Sequence, residues 1–161
     1  MRALMTKTLF VLSILLSAQA LAFDFGGLSY DIINATDVEV TGRASGNTAT
    51  NIVIPATVVG SGTTYSVTTI GDDAFVYGNA LTSVIIPDSV TTIGIEAFDI
   101  NALTSAAFEG DFGSFDLNMF RNNSTLATIT YCDVKTGWPQ GFNNGSTIVV
   151  TTPIVCLPPG C

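Results

Sequence analysis

The side chains in this sequence most suited to acid/base chemistry are carboxylates. The chain of 161 residues has thirteen aspartates and glutamates and no histidine, so a histidine-dependent catalytic triad cannot form within it. Paired carboxylates perform glycoside hydrolysis, and the candidate pairs here are Asp72 with Asp73 and Glu96 with Asp99. Both pairs fall at a predicted short helical turn, where carboxylates are solvated or compensate the helix dipole. We therefore expect no catalytic residue and no enzyme activity.

The spacing of potential ligands predicts neither a metal nor a cofactor. The three cysteines lack the paired C-x-x-C spacing of a structural zinc site. Asp88, Asp111 and Asp116 offer the oxygen ligands that calcium prefers, but they match no EF-hand or nonapeptide motif. A glycine-rich phosphate-binding loop is also missing from the sequence.

The first 22 residues predict a secretory signal peptide. Arg2 and Lys7 precede an apolar run over residues 9–16. Ala20-Leu21-Ala22 then offers small residues for cleavage after Ala22. The run is shorter than the about 20 residues of a membrane-spanning helix, so we expect no transmembrane segment after signal removal, with a retained anchor as the alternative. The predicted location is secreted or at the cell surface.

All three cysteines lie near the C-terminus. An exported chain meets an oxidising compartment, so at least one disulfide is expected. We predict a disulfide between Cys132 and Cys156, and the alternative pairing joins Cys156 to Cys161. In the first case the thiol of Cys161 stays free or links two molecules as a dimer.

The charge of the chain limits its partners. Removal of residues 1–22 takes two of the five basic residues and none of the thirteen acidic ones, so the formal net charge becomes −10. Proteins bind nucleic acids mainly through Lys and Arg contacts to phosphates, so we expect no nucleic acid partner. Anionic lipid headgroups are disfavoured for the same reason.

The structural elements that position the candidate side chains come from a sequence repeat of about 23 residues. Residues 67–75 read VTTIGDDAF, and residues 90–98 read VTTIGIEAF. A third copy keeps only the apolar character, with phenylalanine at the positions of Val90, Ile93 and Phe98: Phe112, Phe115 and Phe120. Repetition at this period is typical of solenoids, in which the persistent apolar positions stack as a core.

A strand pattern runs in phase with this repeat. It has the form L-x-x-L-x-L, and its copies begin at Leu81, Leu103 and Leu126. A fainter copy begins at Ala49, 32 residues before Leu81. The extra length matches the Gly/Thr/Ser-rich stretch 60–66, which we predict to be a hairpin or surface loop.

Residues 81–98 combine Leu-Thr-Ser-Val with Ile-Pro-Asp-Ser-Val-Thr-Thr-Ile-Gly-x-x-Ala-Phe, and this combination resembles the BspA-like leucine-rich repeat family of surface proteins. The resemblance covers about residues 49–131 and implies an extracellular or cell-surface binding module. The predicted fold is a leucine-rich repeat solenoid, mainly β, with a right-handed coil. Each repeat would hold one short strand, an extended piece and a short helical turn, with Gly71 and Gly94 supplying the bend.

Alternate side chains of the predicted strands face outward. The outward set holds one charged residue and is our predicted partner-binding face: Val53, Ser83, Ile85, Ser105, Ala107, Glu109, Thr128 and Thr130. Four of these should form one row: Val53, Ile85, Ala107 and Thr130. Repeat proteins bind partners through such surfaces, so we expect an extracellular or envelope protein as the partner, with a glycan as a second ligand class. The alternatives are an ordinary surface without a specific role and a structural or self-associating envelope protein.

The stack of repeats needs a cap at each end. We predict an N-terminal β cap over residues 23–48, where Tyr30 and Ile32, then Val38 and Val40, alternate as in strands. Leucine-rich repeats would occupy residues 49–131. Residues 132–161 would form a C-terminal cap that contains the cysteines. In this cap Trp138 and Phe142 would cover the exposed apolar edge of the last repeat. A sugar-stacking role is the alternative for Trp138.

Overall fold

The computed structural model describes residues 21–77, 81–139, 141–143 and 148–154. The prediction of a mainly β chain is confirmed, since the described residues form thirteen strands: β1 Ala22–Phe25, β2 Leu28–Ile32, β3 Asp37–Arg43, β4 Asn51–Val53, β5 Thr57–Gly60, β6 Thr63–Ile70, β7 Ser83–Ile86, β8 Thr92–Ile93, β9 Ser105–Phe108, β10 Ser114–Phe115, β11 Thr128–Cys132, β12 Gly141–Asn143 and β13 Ile148–Ile154. The predicted signal peptide lies almost wholly outside these residues. Within them, no helix has the length and apolar character needed to cross a membrane.

One sheet joins the L-x-x-L-x-L strands in the order β12-β13-β11-β9-β7-β4. From β4 to β13 the neighbouring strands run parallel, and only β12 is antiparallel to its neighbour. Val84 pairs with Ala106, and Ala106 pairs with Ile129. Equivalent positions of successive repeats therefore lie side by side.

The second sheet has the order β1-β2-β3-β6-β8-β10, with β5 beside β6. Ile70, Ile93 and Phe115 occupy paired positions in β6, β8 and β10, as the shared apolar positions of the three copies predict. The β5 and β6 strands form an antiparallel hairpin, which confirms the prediction for residues 60–66. Its two-residue turn is Ser61 and Gly62, which have φ values of 49° and 83°, as hairpin turns of this length favour.

The buried side chains of both sheets form one hydrophobic core. Its centre is a phenylalanine ladder, as predicted: the ring centroid of Phe98 lies 5.2 Å from that of Phe75 and 5.3 Å from that of Phe120. Phe108 of the first sheet and Phe115 of the second approach to 5.6 Å and link the two. Burial of these rings removes much of the chain's apolar surface from water, which drives folding.

The predicted helical turns are not supported. Residues 72–77 form hydrogen-bonded turns, as do 95–98 and 117–122, and no α-helix is present among the described residues. The backbone N–H groups of Asp73, Phe75 and Tyr77 donate to carbonyls of the next repeat instead of to the carbonyl four residues earlier. Asp73 and Tyr77 also have left-handed φ values, which interrupt a right-handed helix.

Gly71 and Gly94 do not supply the bend through a positive φ, because neither has one. At Gly94, the absence of a side chain instead lets the backbone of the neighbouring repeat approach closely. A Cβ atom on Gly94 would lie 2.6 Å from the backbone nitrogen of Asp72 in the neighbouring repeat. The left-handed residues are Asp73 and Glu96, two positions later, with φ values of 54° and 53°.

Candidate functional site

The outward residues of the first sheet lie in register across four repeats. Val53 pairs with Ile85, Ile85 with Ala107, and Ala107 with Thr130. The row continues to Thr152 in β13, which the sequence patterns did not indicate. Val53 is 65% exposed and Ile85 is 38% exposed. Ala107 and Thr130 are half-buried, and Thr152 is exposed again. The structure thus brings together the four residues of the predicted row.

A second row of small polar side chains lies beside the first. Ser83 pairs with Ser105 on one side and with Asn51 on the other, and its hydroxyl donates to Asn51 Oδ1 at 2.9 Å. Thr128 begins β11, two residues before Thr130. We call the two rows together the strand face: Asn51, Val53, Ser83, Ile85, Ser105, Ala107, Thr128, Thr130 and Thr152. No member carries a charge, so the face offers shape and short-range polar contacts.

Glu109 differs from the other predicted face residues. It is exposed and comes directly after β9, where its N–H donates to the carbonyl of Ile86. Its carboxylate therefore belongs to the border of the strand face, outside the two rows. The binding role of all these residues stays a prediction.

The candidate acid/base carboxylates take part in contacts between repeats. Arg121 Nη2 lies 2.5 Å from Glu96 Oε1 and 3.3 Å from Asp99 Oδ2. Asp99 is 1% exposed and also accepts a hydrogen bond from Asn122 Nδ2 at 2.9 Å. Such a buried carboxylate depends on its partners, because removing them would leave an uncompensated charge. The geometry therefore assigns Glu96 and Asp99 to the packing of neighbouring turns.

Other carboxylates bond to the backbone. Asp72 Oδ1 accepts from the N–H of Ile95 at 2.8 Å. Asp111 Oδ1 accepts from the N–H of Thr136 at 2.6 Å, and this hydrogen bond lowers the pKa of the Asp111 carboxyl. In the part of the chain that the structure describes, no three potential ligands are grouped so as to hold a metal ion.

Glu39 lies close to two other carboxylates. It pairs with Asp31 across β2 and β3, and Asp72 is the second acidic neighbour. Partial burial raises the pKa of Glu39 above its usual value, and repulsion from Asp31 and Asp72 raises it further. The ionised form of Glu39 is therefore less favourable in the folded chain than in the unfolded chain.

We expect Glu39→Gln to raise the melting temperature at about pH 7 and to have little effect at about pH 4. Because the pKa of Glu39 is higher in the folded chain, its protonated carboxyl adds to the free energy of unfolding. This contribution is fully present below the unfolded pKa and is lost as the pH rises through the folded pKa. Thermal melts at the two pH values test this, and Glu109→Gln controls for the removal of one charge at an exposed site. A lower melting temperature of Glu39→Gln at neutral pH would contradict the assignment.

The sequence analysis missed two structural asparagines. Asn101 Nδ2 donates to the carbonyls of Phe75, Phe98 and Asp99, and its Oδ1 accepts from Leu81 N–H. Asn123, which is 0% exposed, repeats this arrangement one repeat later. The signal was the recurrence of asparagine at 79, 101 and 123, shortly before each leucine that opens a strand pattern. These amides link the carbonyls of neighbouring turns to the N–H group that opens the next strand pattern.

The C-terminal aromatic cluster is structural. Trp138 is 9% exposed, its Nε1 donates to the carbonyl of Gly110 at 3.2 Å, and its ring stacks on Tyr131 at 4.9 Å. Phe108 contacts the indole edge-on at 4.7 Å. The alternative of a sugar-stacking role for Trp138 is therefore wrong, since a sugar needs an accessible ring face. The side chain of Phe142 is not described.

Cys132 is buried at the end of β11. The other half of the predicted disulfide, Cys156, lies outside the described residues, as does Cys161. The pairing of Cys132 with Cys156, the alternative between Cys156 and Cys161, and a dimer through Cys161 stay predictions. The boundaries of the predicted caps at 23–48 and 132–161 likewise stay predictions.

Three solved structures are similar to this chain, and the first of them agrees with this architecture. The chain is similar to a leucine-rich repeat protein from Bacteroides capillosus ATCC 29799, with 26% identity and a TM-score of 0.61, over 81% of this chain and 98% of that one. It is also similar to a leucine rich cell surface protein from Faecalibacterium prausnitzii A2-165, with 25% identity and a TM-score of 0.47, over 74% of this chain and 39% of that one. A leucine-rich repeat protein from Bacteroides ovatus ATCC 8483 gives 16% identity and a TM-score of 0.41, over 67% of this chain and 46% of that one. The chain thus spans less than half the length of the last two proteins.

No curated protein matches the sequence at a significant level. The family model of the BspA type leucine rich repeat region matches residues 48–148, in six copies. This match extends over more than half of the chain and includes β4, β7, β9 and β11, but only the first residue of β13. The protein therefore belongs to the family of BspA-type leucine-rich repeat proteins.

Proposed function

We propose that this protein is a secreted or cell-surface module that binds another protein noncovalently through the strand face. The mechanism is surface complementarity without a chemical step, so the protein is not an enzyme. The repeats would form a right-handed solenoid coil, with the strand face along one side. The N-terminal sequence supports export, and membership of a leucine-rich repeat family supports a role in protein–protein interaction.

The observation that carries this proposal is the row from Val53 to Thr152. Five parallel strands contribute one side chain each, at equivalent positions and without a charge. The whole chain has a formal net charge of −8, and none of its charged side chains lies in this row. Interface centres are depleted in charged residues in the same way. An extracellular or envelope protein is the partner class that fits, with a glycan as the second ligand class.

We expect the double variant Ile85→Glu, Ala107→Lys to bind the partner at least about tenfold more weakly than the wild type. The two substitutions place charges at adjacent positions of the row, where a partner surface would have to desolvate them. The measurement is a pull-down of envelope and matrix proteins with the purified protein, followed by titration of any retained partner.

The second sheet offers a matched control variant. Thr69 and Thr92 pair in β6 and β8 as Ile85 and Ala107 do in β7 and β9, and both threonines are half-buried. The variant Thr69→Glu, Thr92→Lys should therefore keep the partner. Equal retention by both double variants would contradict the strand face as the binding site.

A second candidate function is a structural or self-associating envelope protein. The odd number of cysteines favours it, because one thiol is left over after any single disulfide. A dimer on a non-reducing gel that disappears in Cys161→Ser would support this function. A monomer that retains a partner through the strand face would argue against it.

A further inference from the structure

A second surface of the protein is formed by the stacked turns. We call it the turn face and define it as residues 72–77, 95–100 and 117–122. Large apolar side chains are exposed on this surface: Tyr77 at 71%, Leu117 at 59%, Ile95 at 57% and Ile100 at 39%. They contribute little to the core, which is formed by the phenylalanine ladder of the same turns.

The repeat places these side chains next to one another. Backbone N–H groups of residues 73, 75 and 77 donate to the carbonyls of residues 95, 97 and 99, and those of 98 and 100 donate to the carbonyls of 119 and 121. Tyr77 and Ile100 therefore occupy equivalent positions in adjacent turns. Ile95 and Leu117 form a second equivalent pair. Each pair thus stacks exposed apolar side chains from adjacent turns, which is more than the isolated exposed residue that needs no explanation.

The backbone is strained at one of the two pairs. Tyr77 and Ile100 have φ values of 49° and 51°, in the left-handed region. Bulky and β-branched residues rarely adopt this conformation, whereas asparagine tolerates it. The third turn has Asn122 at the equivalent position, with a φ of 56°. The chain therefore keeps two large apolar side chains at exposed positions where asparagine would fit with less strain, and such strain is often retained at binding sites.

The charge of the turn face is negative. Its three segments contain Asp72, Asp73, Glu96 and Asp99 against one cation, Arg121. Arg121 is bound to Glu96 and to the buried Asp99, so the exposed carboxylates left for a partner are those of Asp72 and Asp73. An apolar surface with this surplus of carboxylates is complementary to a segment that combines apolar side chains with lysine or arginine.

We propose that the turn face binds a cationic amphipathic segment of a partner protein. The apolar side chains of the segment pack on Tyr77, Ile100, Ile95 and Leu117, and its lysine or arginine side chains approach the carboxylates. This mode of binding resembles that of amphipathic helices on apolar surfaces of other proteins. The turn face differs from the strand face, so the two sites can be tested independently.

The test is a titration of the purified full chain against a fluorescently labelled amphipathic peptide of leucine and lysine, followed by anisotropy. The wild type should bind this peptide. It should not bind a leucine–glutamate peptide of the same pattern, and a lysine–serine peptide of equal charge should bind at least about tenfold more weakly. Equal binding of the leucine–lysine and lysine–serine peptides would overturn the proposal, because binding would then depend on charge alone.

Two variants of the protein separate binding from folding. Tyr77→Asn, Ile100→Asn should melt at a temperature no lower than the wild type, because asparagine relieves the left-handed strain, and should bind the peptide at least about tenfold more weakly. Ile95→Ser, Leu117→Ser removes the unstrained pair and should also weaken binding. The strand-face variant Ile85→Glu should bind like the wild type. Unchanged affinity in both turn-face variants would overturn the proposal.

Discussion

Replacement of Phe98 by alanine is expected to lower the free energy of unfolding by about 3 to 5 kcal/mol. Phe98 is completely buried in the middle of the phenylalanine ladder, and its ring is parallel to that of Phe75 within 1°. The loss has two sources: apolar surface is no longer buried, and a cavity opens between Phe75 and Phe120. Stacked aromatic contacts on both sides add to the cost. Denaturant unfolding followed by circular dichroism measures the effect.

Phe25 provides a control of the same residue type. It lies in β1 and is 41% exposed, so Phe25→Ala should cost much less than Phe98→Ala. A similar loss in the two variants would show that the effect does not come from the ladder. An unchanged unfolding midpoint in Phe98→Ala would contradict the stacked core itself.

The second large effect is expected for Asn123→Ala, which should cost about 3 kcal/mol. The amide of Asn123 donates to the carbonyls of Phe98, Phe120 and Arg121 and accepts from the N–H of Leu103. After substitution the carbonyl of Phe120 and the N–H of Leu103 lose this partner inside the protein, where unsatisfied polar groups are costly. The measurement is again the free energy of unfolding from denaturant titration.

Two further variants identify the cause. Asn123→Leu keeps the branching and the number of side-chain heavy atoms but has no hydrogen-bonding groups, so it should be destabilised about as much as Asn123→Ala if the hydrogen bonds matter. Asn118→Ala lies on the same turn at an exposed position and should change stability by less than about 0.5 kcal/mol. Recovery of stability in Asn123→Leu would show that the loss comes from packing instead of hydrogen bonding.

The repeat pattern predicted the register of the repeat strands in each sheet because equivalent apolar positions must lie side by side to share a core. The spacing of 22 or 23 residues correctly aligned Ile93 with Phe115 and Ala107 with Thr130. The same spacing could not show that the turns lack helices. That outcome depends on hydrogen bonds from one turn to the next, which form only after the repeats have stacked.

Part of the strand face was also predictable from the sequence. Alternation within a strand determines which side chains face outward, so the row through Ile85 and Ala107 follows from local sequence. The extension to Thr152 did not follow, because β13 lacks the leucine pattern and joins the sheet through pairing with β11. The turn face was also missed, since the exposure of Tyr77 depends on how the turns pack.

The sequence by itself therefore determined the repeat period, the strands of the L-x-x-L-x-L pattern, the phenylalanine ladder and the family. These properties depend on apolar spacing, which every repeat carries within its own residues. Only the tertiary structure decided the roles of the polar groups. Arg121 bonds to carboxylates 22 and 25 residues earlier, Asn123 bonds into the preceding repeat, and Trp138 is buried against Gly110. Such polar groups find partners only when the backbone of another repeat comes within hydrogen-bonding distance, and this distance is a property of the folded chain.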